Sequence, residues 1–440
     1  MSKKFILHFL FTIYIFIIIG MVEYESVFIS IYVMVTYMVY KPNKIFHPNN
    51  IVFAFSFLYV CLPSSIYYIY EIYDIEYILP WGKLYKWDSL EKLTYYYMLY
   101  MFVIPFFSFY YFTKNTLEQK TNQVYKVKNN WLFILIIILL MLILIFIYRT
   151  GGISGWLFNY QYTYLVERGG NGLFNVLILL FGNIVVFLLG LKISQLKFNS
   201  KKVMWILISF VIICIVAYLQ GFKSRFIFLS LLFFFPFLIN IKLSYRNISI
   251  LVFLFFILII FGNYLRSDGF YDSSQKIVEY MMSYFNVYPL HDIVAKSLDL
   301  NLGQTMHHIF VKPLIIIGLL PSATNYDLSV MLTKIYFPEH WYEMKATQQW
   351  PLATELHLNY FGMLFGWIPI IIYCYIISFL YKKMIEGRIE LSLIYLIEMI
   401  RIFSTFRGVF LPWILPLNLI LYIYIYYIIK RSVNIDRKNI

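Results

Sequence analysis

Unbroken apolar runs dominate this chain. Trp131–Tyr148 and Ile248–Phe261 contain no charged residue. The first is long enough, and the second nearly so, for a helix crossing an oily core of about 30 Å. A porin-like barrel is excluded, because its strands alternate apolar and polar over about 10 residues. Composition excludes a soluble globular protein. Of 440 residues, 61% are apolar and 13% charged, with a mean hydropathy of +0.73, whereas soluble domains run at roughly 45–50% and 25%. The chain reads as an all-α polytopic membrane protein. Cys61, Cys214 and Cys374 lie inside apolar runs and offer neither a disulfide framework nor a zinc knuckle.

Polar breaks mark twelve expected spans, at 5–22, 26–40, 51–70, 93–113, 131–148, 173–191, 203–220, 226–240, 248–264, 357–380, 389–403 and 409–429. The spans at 26–40 and 226–240 are short for a full crossing. Val22-Glu23-Tyr24-Glu25 after the first span is no signal-peptidase site, so an uncleaved anchor is expected.

Orientation follows from Lys and Arg. The N-terminus and the segments 41–50, 114–130, 192–202, 241–247, 381–390 and 430–440 hold 21 basic and 4 acidic residues. The opposite loops hold 14 basic and 17 acidic residues. The net charge of +14 is therefore a basic cytoplasmic face touching anionic lipid, with both termini inside, and not a nucleic-acid surface. One outer loop, 265–356, is far longer than the rest. It separates spans one to nine (1–264) from spans ten to twelve and the tail (357–440). The loop and its far edge carry His291, His307, His308, His340 and His357. Leu314–Leu320 is apolar but too short to span, and Pro313 and Pro321 bracket it, as in a re-entrant or interfacial segment.

Charge within or beside the membrane is costly and tends to be functional or paired. Lys223 and Arg225 lie in the turn before span eight, Arg266 ends span nine, and Arg407 lies in the turn before span twelve. Arg149 and Arg168 flank the turn after span five. Each alone fits snorkelling. Several at one face also suit a lipid-linked phosphate or diphosphate, whose oxygens match the guanidinium fork. Arg401 lies inside span eleven, and Glu398 three residues earlier shares its face, so an ion pair is expected.

Where the long loop re-enters the membrane stands Thr354-Glu355-Leu356-His357-Leu358-Asn359-Tyr360. A carboxylate or imidazole here could take a proton from a sugar hydroxyl. A helix cap and a wet interfacial histidine explain the residues equally well. Glu23, Glu25, Asp268 and Asp272 are further acids on this side. The histidines show no HxxxH or HExxH spacing, so no metal site is expected. Tyr160 and Tyr162, in an outer loop, could stack on sugar rings.

The layout resembles the Wzy-type O-antigen (oligosaccharide repeat-unit) polymerases of bacterial inner membranes. Both ends are inside and one large outer loop comes late. Gly151-Gly152-Ile153-Ser154-Gly155-Trp156 resembles the family's Gly-Gly turn, and Gly221-Phe222-Lys223-Ser224-Arg225-Phe226 its Gly/Arg turn. Glu355 through Gly362, followed by Gly366, resembles its Glu…Asn-Phe-Gly…Gly stretch, and Phe406-Arg407-Gly408 a late Arg-Gly turn. The resemblance implies a GT-C-like glycosyltransferase of about twelve helices that needs no cofactor, metal or nucleotide. It would move a growing glycan from undecaprenyl diphosphate onto the sugar of another undecaprenyl-diphosphate-linked repeat unit, with membrane lipids and a chain-length regulator as further partners. Lys223, Arg225, Arg266 and Arg407 would hold the diphosphate, and Glu355 or His357 would act as base, Glu355 first. Tyr160, Tyr162, Asn359 and Tyr360 would contact glycan. An O-antigen ligase shares this layout and a His-Asn stretch, which His357 and Asn359 echo with one residue inserted. A polyprenyl-phosphate-sugar transferase would place its chemistry at Glu23 and Glu25, and a lipid-linked oligosaccharide flippase would transport without bond formation.

Overall fold

The computed structural model describes residues 3–21, 24–73, 90–114, 124–168, 170–221, 223–242, 285–297, 328–343, 350–359, 362–406 and 415–436, with a few single residues between them. The expected span 248–264, apart from Ile257, lies outside the described residues, as do Glu23, Arg266, Asp268, Asp272, His307, His308, Tyr360 and Arg407.

Among the described residues the fold is almost entirely helical, with apolar helices long enough to cross a membrane. The helices are α1 (Lys3–Ile19), α2 (Glu25–Tyr40), α3 (Pro48–Ile72), α4 (Lys92–Thr113), α5 (Asn129–Arg149), α6 (Gly152–Phe158), α7 (Gly172–Gln195), α8 (Ser200–Leu219) and α9 (Lys223–Leu238). There follow α10 (Tyr288–Ala295), α11 (Leu328–Tyr336), α12 (Pro338–Tyr342), α13 (Leu352–Asn359), α14 (Met363–Ile385), α15 (Ile389–Phe406) and α16 (Leu415–Ser432). Among the described residues six helices, α3, α4, α5, α7, α8 and α14, are long and apolar enough to cross a membrane.

Local sequence explains where these helices bend and stop. In α3 the turn Phe57–Cys61 widens to a π-helix just before Pro63, whose ring nitrogen cannot donate to the preceding turn. Span ten begins at Met363 and not at 357, because Gly362 takes a left-handed φ of +67° and separates α13 from α14. A Cβ at Gly362 would come within 2.7 Å of the Tyr97 hydroxyl. Glu355, His357 and Asn359 therefore belong to a short helix of their own.

Burial separates centre from rim. Helix α7 is 78% buried and α5 only 28%. Ile137, Met141 and Leu144 of α5 are 59%, 58% and 62% exposed, while Leu135, Leu139 and Phe146 face inward. An apolar rim of that kind is tolerated in lipid, not in water. Inside, a single large apolar core joins α1–α5, α7–α9 and α14–α16.

The connections gather at two ends. At one, strand Val124–Val127 (β1) pairs antiparallel with Val433–Asp436 (β2), Lys44 bridges Lys242, and the Tyr125 hydroxyl donates to the Gly387 carbonyl. This is the lysine-rich end. At the other, Lys92 Nζ donates to the Gly20 carbonyl, and Gln220 reaches Asn175 Oδ1 at 2.7 Å. The α5–α6 turn lies there too, with Gly151 and Gly152 at φ of +84° and +67°.

Candidate functional site

Two groups of polar side chains stand toward the end opposite the lysines. The first is a cavity of about 440 Å³ between α7, α9, α15 and α16. Lys223 opens α9, and Arg225 follows in its first turn. Arg225 Nη2 donates to Asn183 Oδ1 at 2.6 Å and to the Leu179 carbonyl at 3.4 Å. Its guanidinium carbon sits 4.8 Å from the Phe228 ring centroid, and its Nε is buried with no hydrogen-bond partner. Among the described residues no carboxylate lies within ion-pair distance of Arg225.

Arg401 lines the same cavity from α15 and is held differently. Its Nη1 donates to Glu398 Oε1 at 2.8 Å, the ion pair expected from their spacing. The Tyr373 hydroxyl donates to Glu398 Oε2 at 3.2 Å, and the Tyr422 hydroxyl bonds Glu398 Oε1. With its amide oriented so that the oxygen meets donors, Asn418 accepts from Arg401 Nη1 and Nη2 at 3.0 and 2.8 Å. The cavity thus presents two guanidinium groups and two amides among apolar walls, with one buried carboxylate behind Arg401. In such a setting the Coulomb field of each cation is weakly screened. The arrangement can receive an anion.

The second group is a seam of aromatic rings where α10 and α13 dock on α4. Asp292, buried in α10, accepts from the Glu91 backbone N–H at 2.7 Å and from Thr94 Oγ1 at 3.0 Å, and pairs with Lys296 at 2.7 Å. Its carboxylate thereby caps the N-terminus of α4, where negative charge is favoured. Leu290, Val294, Leu332, Phe337 and Trp350 form a small separate apolar core that fixes α10 and α11. Against this scaffold His291 is fully buried, with Nδ1 3.2 Å from Thr354 Oγ1 and Nε2 unpartnered. Tyr97 packs against both histidines, whose own rings also meet edge-on at 5.9 Å. Its ring meets His291 edge-on at 4.7 Å and His357 at 5.9 Å, and its hydroxyl lies 3.4 Å from His357 Nδ1. Burial holds His291 down at about 3, helped by the neighbouring His357, and burial also lowers His357 from its ordinary value. Both are neutral bases at pH 7. Glu355 is 4% exposed, whereas His357 is half-buried.

The structure therefore brings Arg225 together with Arg401, and His357 together with His291. It revises the part expected of Tyr160. That ring stacks on Tyr164 at 5.7 Å and leans on Tyr218 at 4.8 Å, so its faces are filled by protein. Tyr162 is 59% exposed. Arg149 and Arg168 lie over the rings of Phe174 and Tyr164, at 5.2 and 4.3 Å. Asn359 closes α13. Among the described residues no three His, Cys, Asp or Glu side chains gather as metal ligands.

Sequence reading missed Asn183, Asn418, Tyr373 and Tyr422, which single polar positions inside apolar runs could have signalled. It also missed His291 as the neighbour of His357, for which the sequence gives no pairing signal. No family model, curated protein or solved structure matches the chain.

Proposed function

We propose that this chain polymerises undecaprenyl-diphosphate-linked oligosaccharide repeat units at the outer face of a bacterial inner membrane, as a GT-C-like glycosyltransferase of about twelve spans with both termini cytoplasmic. The observation that carries the reading is Arg225. It is a cation with neutral acceptors, an unpartnered Nε and, among the described residues, no carboxylate within ion-pair distance, in a cavity that it shares with Arg401. A departing diphosphate would give Arg225 an anionic partner there. In the reaction, the bond between the donor glycan's anomeric carbon and the diphosphate oxygen breaks. The acceptor hydroxyl oxygen takes that carbon, its proton passes to a base at Glu355 or His357, and undecaprenyl diphosphate leaves with the bonding electrons. Lys223, Arg266 and Arg407 add charge toward the same leaving group, and Tyr162, Asn359 and Tyr360 contact glycan.

The test is reconstitution of the purified protein in liposomes with a lipid-linked repeat unit. A ladder of lengthened products that disappears in Arg225→Ala supports the proposal. Transfer only onto a lipid A acceptor would make the protein a ligase. Movement of the substrate across the bilayer without a new glycosidic bond would make it a transporter.

A further inference from the structure

A second polar cavity, at the lysine-rich end, is left unused by that reading. It encloses about 260 Å³ between the α2–α3 connection, the last turn of α4 and the end of α14. Lys41, Lys44 and Lys114 line it, and among the described residues no acidic side chain does. Asn49 also lines it; the residue is fully buried, and its side-chain Oδ1 and Nδ2 both lack a hydrogen-bond partner. An amide buried in that state costs free energy unless something bonds it.

The walls are fixed in place. Asn50 Nδ2 donates to the carbonyls of Lys44 and Ile45 at 2.7 and 3.1 Å, and the Tyr37 hydroxyl donates to Asn50 Oδ1 at 2.9 Å. His47 Nδ1 accepts from the Asn49 backbone N–H at 3.2 Å, and its Nε2 lies 2.9 Å from Thr113 Oγ1. With Nδ1 accepting, the imidazole is neutral and serves as a strut. The connection is further pinned by the Lys44–Lys242 bridge and by edge-on packing of His47 on Tyr381 at 5.1 Å. The lysine-bearing loop is thus held in a fixed course around an unpartnered amide.

We propose that this cavity binds a phosphate monoester or diester group, with Asn49 Nδ2 donating to a phosphate oxygen and Lys41, Lys44 and Lys114 neutralising its charge. Lysine serves such a site as a mobile point charge, without the planar fork of arginine. Two sources carry this chemistry. One is the headgroup of an anionic glycerophospholipid in the adjoining leaflet, and the other is a soluble phosphate compound. The site lies at the opposite end from Arg225, so it does not depend on the proposed glycosyl transfer.

The test uses the full-length protein in a neutral detergent. Native mass spectrometry counts bound phosphatidylglycerol against phosphatidylcholine, and thermal unfolding is followed with rising inorganic phosphate. Wild type is expected to hold phosphatidylglycerol at least about tenfold more tightly than the double variant Lys44→Gln/Lys114→Gln, since each lysine contributes roughly fivefold near an anionic headgroup. The control Lys197→Gln/Lys201→Gln, two exposed lysines elsewhere on the same end, should bind as wild type. Asn49→Asp keeps the shape and places a negative charge in the cavity, and it should abolish the selectivity. Retention of phosphatidylglycerol alone identifies a lipid headgroup. Stabilisation by inorganic phosphate that the lysine variant loses identifies a soluble phosphate. Equal binding by wild type and the Lys44/Lys114 variant, or an equal loss in the control, overturns the proposal.

Discussion

Arg225 and Arg401 face one cavity from long helices, whereas His291 and His357 meet on two short ones. In the cavity, charge persists although the walls are mostly apolar. Arg225 keeps it against neutral acceptors, and Arg401 keeps it against Glu398. In the seam, burial has removed charge, and both rings stand neutral beside Tyr97. Desolvation acts on both regions and leaves opposite results, because a guanidinium does not give up its proton in practice and an imidazole does. The first region is therefore equipped to hold an anion, and the second to accept a proton.

The largest expected effect tests the seam. Loss of a general base typically costs about 10²–10⁴-fold in rate. His357 is half-buried and neutral, while Glu355 is closed off within α13. His357→Gln is therefore expected to suppress polymer formation in liposomes more than Glu355→Gln, the reverse of the order that the sequence alone suggests. A ladder of normal length from His357→Gln, with none from Glu355→Gln at equal protein level, would return the role to the carboxylate.

The cavity is probed next, through Glu398. Glu398→Gln removes the partner of Arg401 and weakens the bonds from Tyr373 and Tyr422. Breaking a buried pair from one side costs about 3–5 kcal/mol. A lowered Tm in detergent is expected, and an unchanged Tm would show that Asn418 alone can hold Arg401. Arg225→Lys should leave Tm near wild type yet reduce polymer about 100-fold, the scale of losing one preorganised donor to developing charge. A lysine cannot reproduce the contact to Asn183 together with a second donor to the leaving group. Full activity in Arg225→Lys would reduce Arg225 to a snorkelling residue.

These expectations also show how unevenly sequence spoke. The helices were legible because each span is a local pattern, and α5, for example, reads directly from Trp131–Tyr148. The Glu398–Arg401 pair was legible for the same reason, since helical pitch alone brings the two together. Gly362 was legible as a motif glycine, but its left-handed φ, which moves the start of α14 to Met363, and its close approach to the Tyr97 hydroxyl were not. The meeting of Arg225 with Asn183 and of His291 with Thr354 was not legible. Those contacts span 42 and 63 residues, and tertiary packing sets them, not periodicity. The filled faces of Tyr160 likewise depend on Tyr218, a residue of another helix.

The smallest expected effect separates the two regions by pH. His291 is held at about 3 in the folded chain against an ordinary value near 6.5. Between those values the unfolded chain binds a proton at this position and the folded chain does not. Stability is then complete above about pH 6.5 and falls as pH drops toward the folded value, by about 1.4 kcal/mol per pH unit for one such group. His357, lowered in the same direction, adds to the slope. Arg225 and Arg401 contribute nothing in this window, because both stay protonated throughout. Thermal unfolding in detergent at pH 7.5, 6.5 and 5.5 should therefore show a falling Tm for wild type. His291→Gln, which can still meet the Thr354 hydroxyl, should start lower at pH 7.5 and fall less steeply. Arg225→Lys should run parallel to wild type. Parallel curves for wild type and His291→Gln would mean that His291 protonates freely in the folded chain, and the contrast between a charged cavity and a neutral seam would lose its physical basis.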